Sequence, residues 1–273
     1  MQNEPNERVD TVDRYIARLY RSVLAVSPSD YRSWALSRLA QVVPHDAAIW
    51  ASGSIESFRF HTVTMVGLPK DFPSRLEATH HVNPLFQRIL ADLDQPTDMG
   101  CVLDDEAFHR SELYHQAFKP VGIERILSTA HMDERSGLYS LVTLYRKNPQ
   151  ARFSAAEKDA QRRINFHLFN AHSHAFFVNQ LQGSDRPPGS GAAVVDATGV
   201  FHEVQPRLLD SLDQHFPRRA KPQQLPFPLP KPGTTVMVDG LAVKCQPLGD
   251  LFLLHIWEAG PLDRLTARER EIV

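Results

Sequence analysis

The stretch from Ser154 to Leu181 restricts the possible folds of this chain more than any other. Ser154 and Glu157 have the spacing of a capping box, in which each side chain accepts a hydrogen bond from the other's backbone N–H, so a helix begins here. Its apolar residues recur at steps of three and four, like a coiled-coil seam, at Ile164, Leu168, Ala171, Ala175 and Val178. Further apolar residues spread round the helix at Phe166, Phe169, Phe176 and Phe177. We predict that the helix packs on two surfaces, its own sheet and a second subunit, or else that it lies deep within its own domain.

The residues before this helix alternate between helical and strand patterns. Apolar residues at steps of three and four predict a helix over about 8–25, and Ser27 followed by Pro28 is typical of the start of a second helix. The remaining predicted elements are strands at 47–52 and 58–66, a helical region over about 73–120 interrupted by Pro84 and Pro96, and a hairpin of strands 126–131 and 138–145.

Helices, a central antiparallel sheet and a long closing helix occur in this order in GAF domains. The segments Leu144-Tyr-Arg146 and Phe153-Ser-Ala-Ala-Glu157 resemble the last strand and the final helix start of GAF domains that are fused to LuxR-type output. The resemblance covers residues 1–182 and implies a GAF-like sensor domain with a ligand between the sheet and the helices that cross it. Each pocket candidate could instead belong to a filled core. These candidates are Trp50, His61, Met65, Phe86, Tyr114, Phe118, His131 and Tyr139.

A second, smaller module follows a linker at residues 183–191, which is rich in Gly, Ser and Pro. The predicted elements are a hairpin at 192–196 and 200–204, a helix at 206–216, an extended Pro-rich run at 226–232, and strands at 234–238, 241–246 and 251–257. The string AVVDATGVFHEVQPRLLDSL resembles the start of a degenerate PAS domain. We expect a PAS-like α+β module over residues 192–260, so the whole chain is predicted to be α+β.

The last nine residues, Leu265-Thr-Ala-Arg-Glu-Arg-Glu-Ile-Val273, predict the start of another helix, because Thr266 and Glu269 form a second capping box. This string closely resembles the opening of the LuxR-type helix-turn-helix, a DNA-binding domain at the C-terminus of many bacterial transcription regulators. The resemblance implies that residues 261–273 begin such a domain and that the recognition helix, which enters the major groove, is missing. It assigns Leu265, Thr266, Arg268, Glu269, Arg270 and Glu271 to the first, scaffolding helix.

The composition restricts the partners and the cellular compartment that we expect for this chain. The net charge of −2, from 30 basic and 32 acidic residues, does not indicate binding to nucleic acid by bulk electrostatics, so DNA contacts are expected from the missing domain. Cys101 and Cys245 are 144 positions apart, which favours free thiols in a reducing cytoplasm. The polar N-terminus does not resemble a secretory signal, and no apolar run reaches the ~18–20 residues of a membrane helix. We expect a soluble cytoplasmic protein with no membrane partner.

Motifs for catalysis, cofactors and metals have little support. The sequence has no G-x-S-x-G, Walker-type, dinucleotide-binding or C-x-x-C motif, which argues against an enzyme and predicts no cofactor. The E-x-x-H pairs Glu77/His80 and Glu112/His115 resemble parts of di-iron bundles, but Pro84 cuts the first helix short. Cys101 has no cation among its sequence neighbours and is expected to be an ordinary cysteine. We predict neither a metal site nor a catalytic residue.

The predicted function is therefore the signal-sensing region of a bacterial DNA-binding transcription regulator. Its output would be controlled by a small-molecule ligand or by homodimer formation through the seam. Two alternatives remain: a sensor of small molecules or proteins that does not bind DNA, and an enzyme with a GAF-like fold.

Overall fold

A computed structural model describes residues 4–54, 60–181 and 189–264 of the chain. Its contacts divide the chain into one unit of Met1–Met132 with Tyr139–Asn179 and a second unit of Asp133–Leu138 with Gln180–Val273. The stretch 265–273, on which the prediction of a DNA-binding domain depends, lies outside the described residues, as does most of the predicted linker. No helix in the described part of the chain is long and apolar enough to cross a membrane.

The predicted elements up to residue 181 are present, with small changes of their bounds. They are α1 (Glu4–Arg21), α2 (Pro28–Leu39), β1 (Ala47–Ser54), β2 (Phe60–Val66), α3 (Phe72–Ala78), α4 (Pro84–Ala91), β3 (Thr97–Asp98), α5 (Asp105–Arg110), β4 (Arg125–Asp133), β5 (Leu138–Arg146) and α6 (Ala155–Leu181). Ser27 caps α2 as predicted, because its side chain accepts a hydrogen bond from the backbone N–H of Asp30. Short 3-10 turns and one π-helical turn, Tyr114–Phe118, connect the smaller elements.

The first sheet has the strand order β2-β1-β5-β4-β3, and each of its faces is covered by its own set of helices. Successive residues of a strand point to opposite faces. On one face, Trp50 and its neighbours pack against α1, α2 and α6. On the other face, Ile49 and its neighbours pack against α3, α4, α5 and the turn that contains Phe118. The unit therefore has two apolar cores separated by one sheet.

The seam of α6 faces this sheet. Ile164, Leu168, Ala171 and Ala175 are fully buried in the core that α6 shares with α1 and α2, and Val178 is half-buried. The burial of four of the five seam residues favours the other prediction, that the helix lies deep within its own domain. A contact of this stripe with a second subunit stays a prediction. The outward side of α6 instead carries Phe166, which is 57% exposed.

The second unit is also α+β. Its elements are β6 (Gly191–Val195), β7 (Phe201–Val204), α7 (Pro206–His215), β8 (Thr235–Val238), β9 (Leu241–Leu248) and β10 (Leu251–Glu258). Its sheet has the order β7-β6-β10-β9-β8, and all four neighbouring pairs are antiparallel. Leu208 and Leu212 of α7, with Leu225 and Phe227 of the Pro-rich run, cover one face of this sheet.

Glycine is required where β6 meets α7. A Cβ atom at Gly191 would lie 2.4 Å from the backbone nitrogen of Leu208, so a larger residue would push α7 away from the sheet. The sequence places Gly191 in the predicted linker, whereas the structure makes it the first residue of β6.

Both sheets follow one connectivity. Counted from its own first strand, each sheet has the order 2-1-5-4-3. No repeat is visible in the amino-acid sequence, so this correspondence emerges only from the strand pairing. The predicted α+β class, with two antiparallel sheets, is confirmed.

Candidate ligand-binding site

A cavity lies in the first unit between the sheet and helices α3 and α4. Its volume, on the scale used for cavities in proteins, is about 50 Å³, and it opens to solvent on one side. It is on the face of the sheet opposite α6, because the residues of its floor have the same strand parity as the core that contains α3 and α4. The floor is formed by Ile126, Ser128, Leu141, Thr143 and Tyr145.

The floor carries a short row of hydroxyl groups between β4 and β5. Ser128 Oγ and Thr143 Oγ1 are 2.7 Å apart and hydrogen-bonded. Tyr145, two residues further along β5, is fully buried and hydrogen-bonded to Thr143, and its burial raises the pKa of its hydroxyl. These groups remain neutral at physiological pH and satisfy one another, so they provide polarity without charge.

The roof combines apolar residues with a carboxylate, an imidazole and an amide. Glu77 of α3 accepts a hydrogen bond from the backbone N–H of Phe60 at 3.0 Å through Oε1. His80 donates from Nδ1 to the carbonyl oxygen of Glu77 at 2.7 Å, since a carbonyl can only accept. Asn83 caps α4 by accepting from the backbone N–H of Phe86 at 3.1 Å, which holds Phe86 in the wall.

Four aromatic rings line the cavity: Phe60, Phe86, Phe118 and Tyr145. The ring centroids of Phe118 and Tyr145 are 6.1 Å apart, and Phe72 of α3 packs behind both of them. The site is thus an aromatic cavity with a few polar groups, an arrangement that suits a small organic ligand.

The structure places the eight predicted pocket residues in four positions. Phe86 and Phe118 line the cavity, as predicted. Met65, Tyr114 and Tyr139 pack in the same core without reaching the wall, and Tyr139 contacts Phe86 with ring centroids 6.1 Å apart. His61, on β2, is half-buried and outside the wall.

Trp50 and His131 lie on the opposite face of the sheet, so the prediction is wrong for both. Their ring centroids are 5.6 and 5.9 Å from that of Phe169 on α6. The physical reason is strand alternation, which turns position 50 away from position 49 and position 131 away from position 128. Both residues therefore belong to the layer between α6 and the sheet.

The polar groups of the cavity do not stand out in the sequence. Glu77 and His80 have the spacing of a metal motif, and Ser128, Thr143 and Tyr145 belong to no motif. The available signal was their spacing, because residues 141, 143 and 145 alternate along a predicted strand and must share one face.

Tyr114 takes part in a separate polar cluster beside the cavity. Its hydroxyl donates to Glu124 at 2.8 Å, and the other carboxylate oxygen of Glu124 is 2.7 Å from Nε2 of His109. Burial, together with the hydrogen bond to Glu124, raises the pKa of Tyr114 to about 12. The cluster ties α5 to the segment before β4, so it holds the turn that carries Phe118.

Among the described residues, no group of three or more His, Cys, Asp and Glu side chains is arranged to hold a metal ion. Both cysteines are free thiols, with Cys245 buried and Cys101 exposed. The expectation that Cys101 has no cation nearby is wrong, because α6 places Lys158 Nζ 3.7 Å from its sulfur.

A comparison with models of protein families found no match, and a comparison with curated proteins found none. Several solved structures are similar in fold. The N-acylhomoserine lactone dependent LuxR-family transcription factor CepR2 from Burkholderia cenocepacia has 16% identity and a TM-score of 0.44, over 63% of this chain and 99% of that chain. SdiA from Escherichia coli has 12% identity and a TM-score of 0.45, over 64% of this chain and 71% of that chain.

A further similar structure is the GAF domain of a phosphoenolpyruvate-protein phosphotransferase from Coxiella burnetii, with 14% identity and a TM-score of 0.43 over 62% of this chain and 96% of that chain. Likenesses at this level leave the function of this chain to be argued from its own residues.

Proposed function

We propose that this chain is the signal-sensing region of a bacterial transcription regulator that binds DNA through a LuxR-type helix-turn-helix beginning near Leu265. The first unit acts as a GAF-like sensor of a small molecule and the second as a PAS-like module. The observation that carries the proposal is the aromatic cavity between the central sheet and α3–α4. The DNA-binding part of the proposal depends on the resemblance of Leu265–Val273 to the start of a helix-turn-helix.

The cavity favours binding over catalysis. Its hydroxyl groups, on Ser128, Thr143 and Tyr145, bond to one another, and in the described wall none of them bonds to a histidine that could act as a base. Glu77 is hydrogen-bonded to a backbone amide. We therefore propose a sensor and not an enzyme, and a cytoplasmic one, since free thiols suit a reducing compartment.

We also propose that the chain forms a homodimer through the outer surface of α1 and α6. Tyr20, Leu24 and Phe166 are 40%, 73% and 57% exposed, so three large apolar side chains face solvent here. Tyr20 and Phe166 are near each other, because Tyr20 is hydrogen-bonded to His167 at 3.1 Å and the rings of Phe166 and His167 are 5.5 Å apart. Leu24 follows Tyr20 by four residues, just after the end of α1. A ligand that shifts the sheet under α6 would then change how two copies pair.

DNA selection tests the output. The complete product of the gene that encodes this chain is mixed with random DNA duplexes, and bound sequences are enriched and read. We expect one palindromic motif to emerge, because a symmetric dimer reads two half-sites. A Glu269→Ala variant is expected to lose it. Absence of any enriched motif would contradict DNA binding and favour the alternative, a sensor of small molecules or proteins with no DNA output.

A further inference from the structure

Glu77 brings a carboxylate to the wall of the cavity. Glu77 is the carboxylate of the wall, and its described hydrogen bond comes from the backbone N–H of Phe60. Among the described residues that line the cavity, none is lysine or arginine. A half-buried carboxylate in apolar surroundings is stabilised by an opposite charge, so the wall favours a cationic occupant over an anionic one.

The rest of the wall is suited to an organic cation and not to a metal ion. The rings of Phe60, Phe86, Phe118 and Tyr145 surround the same space as the Glu77 carboxylate. The face of an aromatic ring is negative and attracts ammonium groups, most strongly where water is excluded. Among the described residues of the wall, Glu77 and His80 are the only ones of the His, Cys, Asp and Glu types, and they do not form a group of three that could hold a metal ion.

A buried donor lies next to this space. Tyr139 is fully buried, and among the described residues its hydroxyl has no hydrogen-bond partner. Its ring packs on Phe86, and burial, with the nearby charge of Glu77, raises its pKa, so the hydroxyl keeps its proton. A buried donor without a partner is costly, but Tyr139 lies behind Phe86 and not in the wall, so no ligand contact is assigned to it.

We infer that the cavity binds a small organic ammonium ion, with the positive charge between Glu77 and the aromatic rings and its apolar body against Leu76, Leu85 and Ile89. This inference rests on the proposed sensing function and specifies its ligand class. The ammonium charge complements the carboxylate, and the rings accept the N-methyl or N-methylene groups.

Three probes of similar size and different charge test this inference by isothermal titration calorimetry on the full 273-residue chain. They are choline, its neutral isostere 3,3-dimethylbutan-1-ol, and the anion 3,3-dimethylbutanoate. We expect choline to bind about tenfold more tightly than the alcohol, the size of effect that one charge-assisted contact gives, and the anion to bind most weakly.

Two glutamates with the same E-x-x-H spacing provide a matched pair of variants. Glu77→Gln keeps an oxygen that can accept from Phe60 and removes the charge, so choline affinity is expected to fall about tenfold while the affinity of the alcohol stays the same. Glu112→Gln is the control, because Glu112 is exposed and bonds Gln116 outside the cavity. If Glu77→Gln does not fold, Phe86→Leu is used instead, with a larger expected loss for choline than for the alcohol.

The outcomes separate this inference from the proposed function. Equal or tighter binding of the alcohol or the anion would overturn the ammonium ligand and leave a small-molecule sensor. Binding of none of the three probes would overturn the inference and also remove the support that the cavity gives to the proposed function. The DNA selection then decides the regulator function independently.

Discussion

Arg146 at the end of β5 and Glu157 in the first turn of α6 form a buried ion pair, with Arg146 Nη2 2.8 Å from Glu157 Oε1. The same guanidinium donates to the carbonyl oxygens of Pro44, Ala151 and Arg152. The second carboxylate oxygen of Glu157 accepts from the backbone N–H of Ser154 at 2.8 Å, which is the capping box predicted from the sequence. The carboxylate of Glu157 thus caps the first turn of α6 and also pairs this helix with Arg146 of β5.

Loss of this carboxylate is expected to lower the free energy of unfolding. Burial alone would raise the pKa of Glu157, but the hydrogen bonds from Arg146 and Ser154 outweigh it and lower the pKa. Glu157→Gln leaves Arg146 buried without a counter-charge, and we expect the free energy of unfolding to fall by about 3–5 kcal/mol. Urea denaturation of both proteins at pH 7 measures this loss.

An exposed pair provides the control for that measurement. Glu106 and Arg110 form an ion pair one helical turn apart on α5, with side chains more than two-thirds exposed. Glu106→Gln is expected to change the free energy of unfolding by less than about 0.5 kcal/mol. Equal effects of the two substitutions would contradict the role given to Glu157.

His172 on α6 is expected to make the first unit less stable in acid. Burial, and to a lesser extent the charge of Arg32, lowers its pKa well below the usual value of a histidine. The unfolded chain therefore binds a proton near pH 6.5 that the folded chain does not bind. This contribution to stability is present above about pH 6.5 and is lost as the pH falls, by at most about 1.4 kcal/mol at pH 5.5.

The matched variant for this effect is His172→Gln, which can still accept the hydrogen bond that Arg32 Nε donates to His172 Nε2 at 3.2 Å. Urea denaturation of both proteins is compared at pH 7.5 and pH 5.5. The acid loss is expected to be smaller in the variant. An identical pH dependence in both proteins would show that His172 does not titrate as its environment indicates.

Local sequence patterns predicted the elements because periodicity reports which sides of an element are buried. Ser27 with Pro28, and Ser154 with Glu157, marked helix starts that the structure has. The strand Thr97–Asp98 was missed because two residues carry no periodicity, and only pairing with β4 makes them a strand. The predicted interruption at Pro84 is present, because α3 ends before it and Pro84 occupies the first turn of α4, where its missing N–H costs nothing.

The cavity was harder to predict than the fold. Alternation sorts the residues of each strand into two faces, but it does not say which face α6 covers and which face α3 and α4 cover. Trp50 and Phe86 are equally good aromatic candidates in the sequence, and only the helix positions separate them. The apolar spacing on α6 is equally uninformative, because a face buried within the unit and a face that contacts a second subunit have the same spacing.

His215 at the end of α7 is expected to show the opposite pH dependence from His172. The hydrogen bond with Glu258, at 2.9 Å, and that with the carbonyl oxygen of Asp239, at 2.7 Å, raise its pKa. This contribution is complete below pH 6.5 and is lost as the pH rises through the raised pKa. Because Glu258 is 60% exposed, we expect no more than about 0.5 kcal/mol.

An NMR titration of the His215 ring measures this pKa directly. Glu258→Gln removes the charged partner and is expected to lower the pKa of His215 while the second unit stays folded. A pKa that does not change in this variant would contradict the assigned cause.

The outer surface of α1 and α6 gives the last prediction, which concerns self-association. Phe166→Asp places a charge at the centre of the surface formed with Tyr20 and Leu24 and changes no buried side chain, so the fold is expected to remain intact. Sedimentation equilibrium is expected to show a dimer for the wild type and a dissociation constant at least about tenfold higher for the variant.

Met237→Asp is the control, because Met237 is 43% exposed on β8 and belongs to the second unit. If Phe166→Asp associates as the wild type does, the dimer contact lies elsewhere.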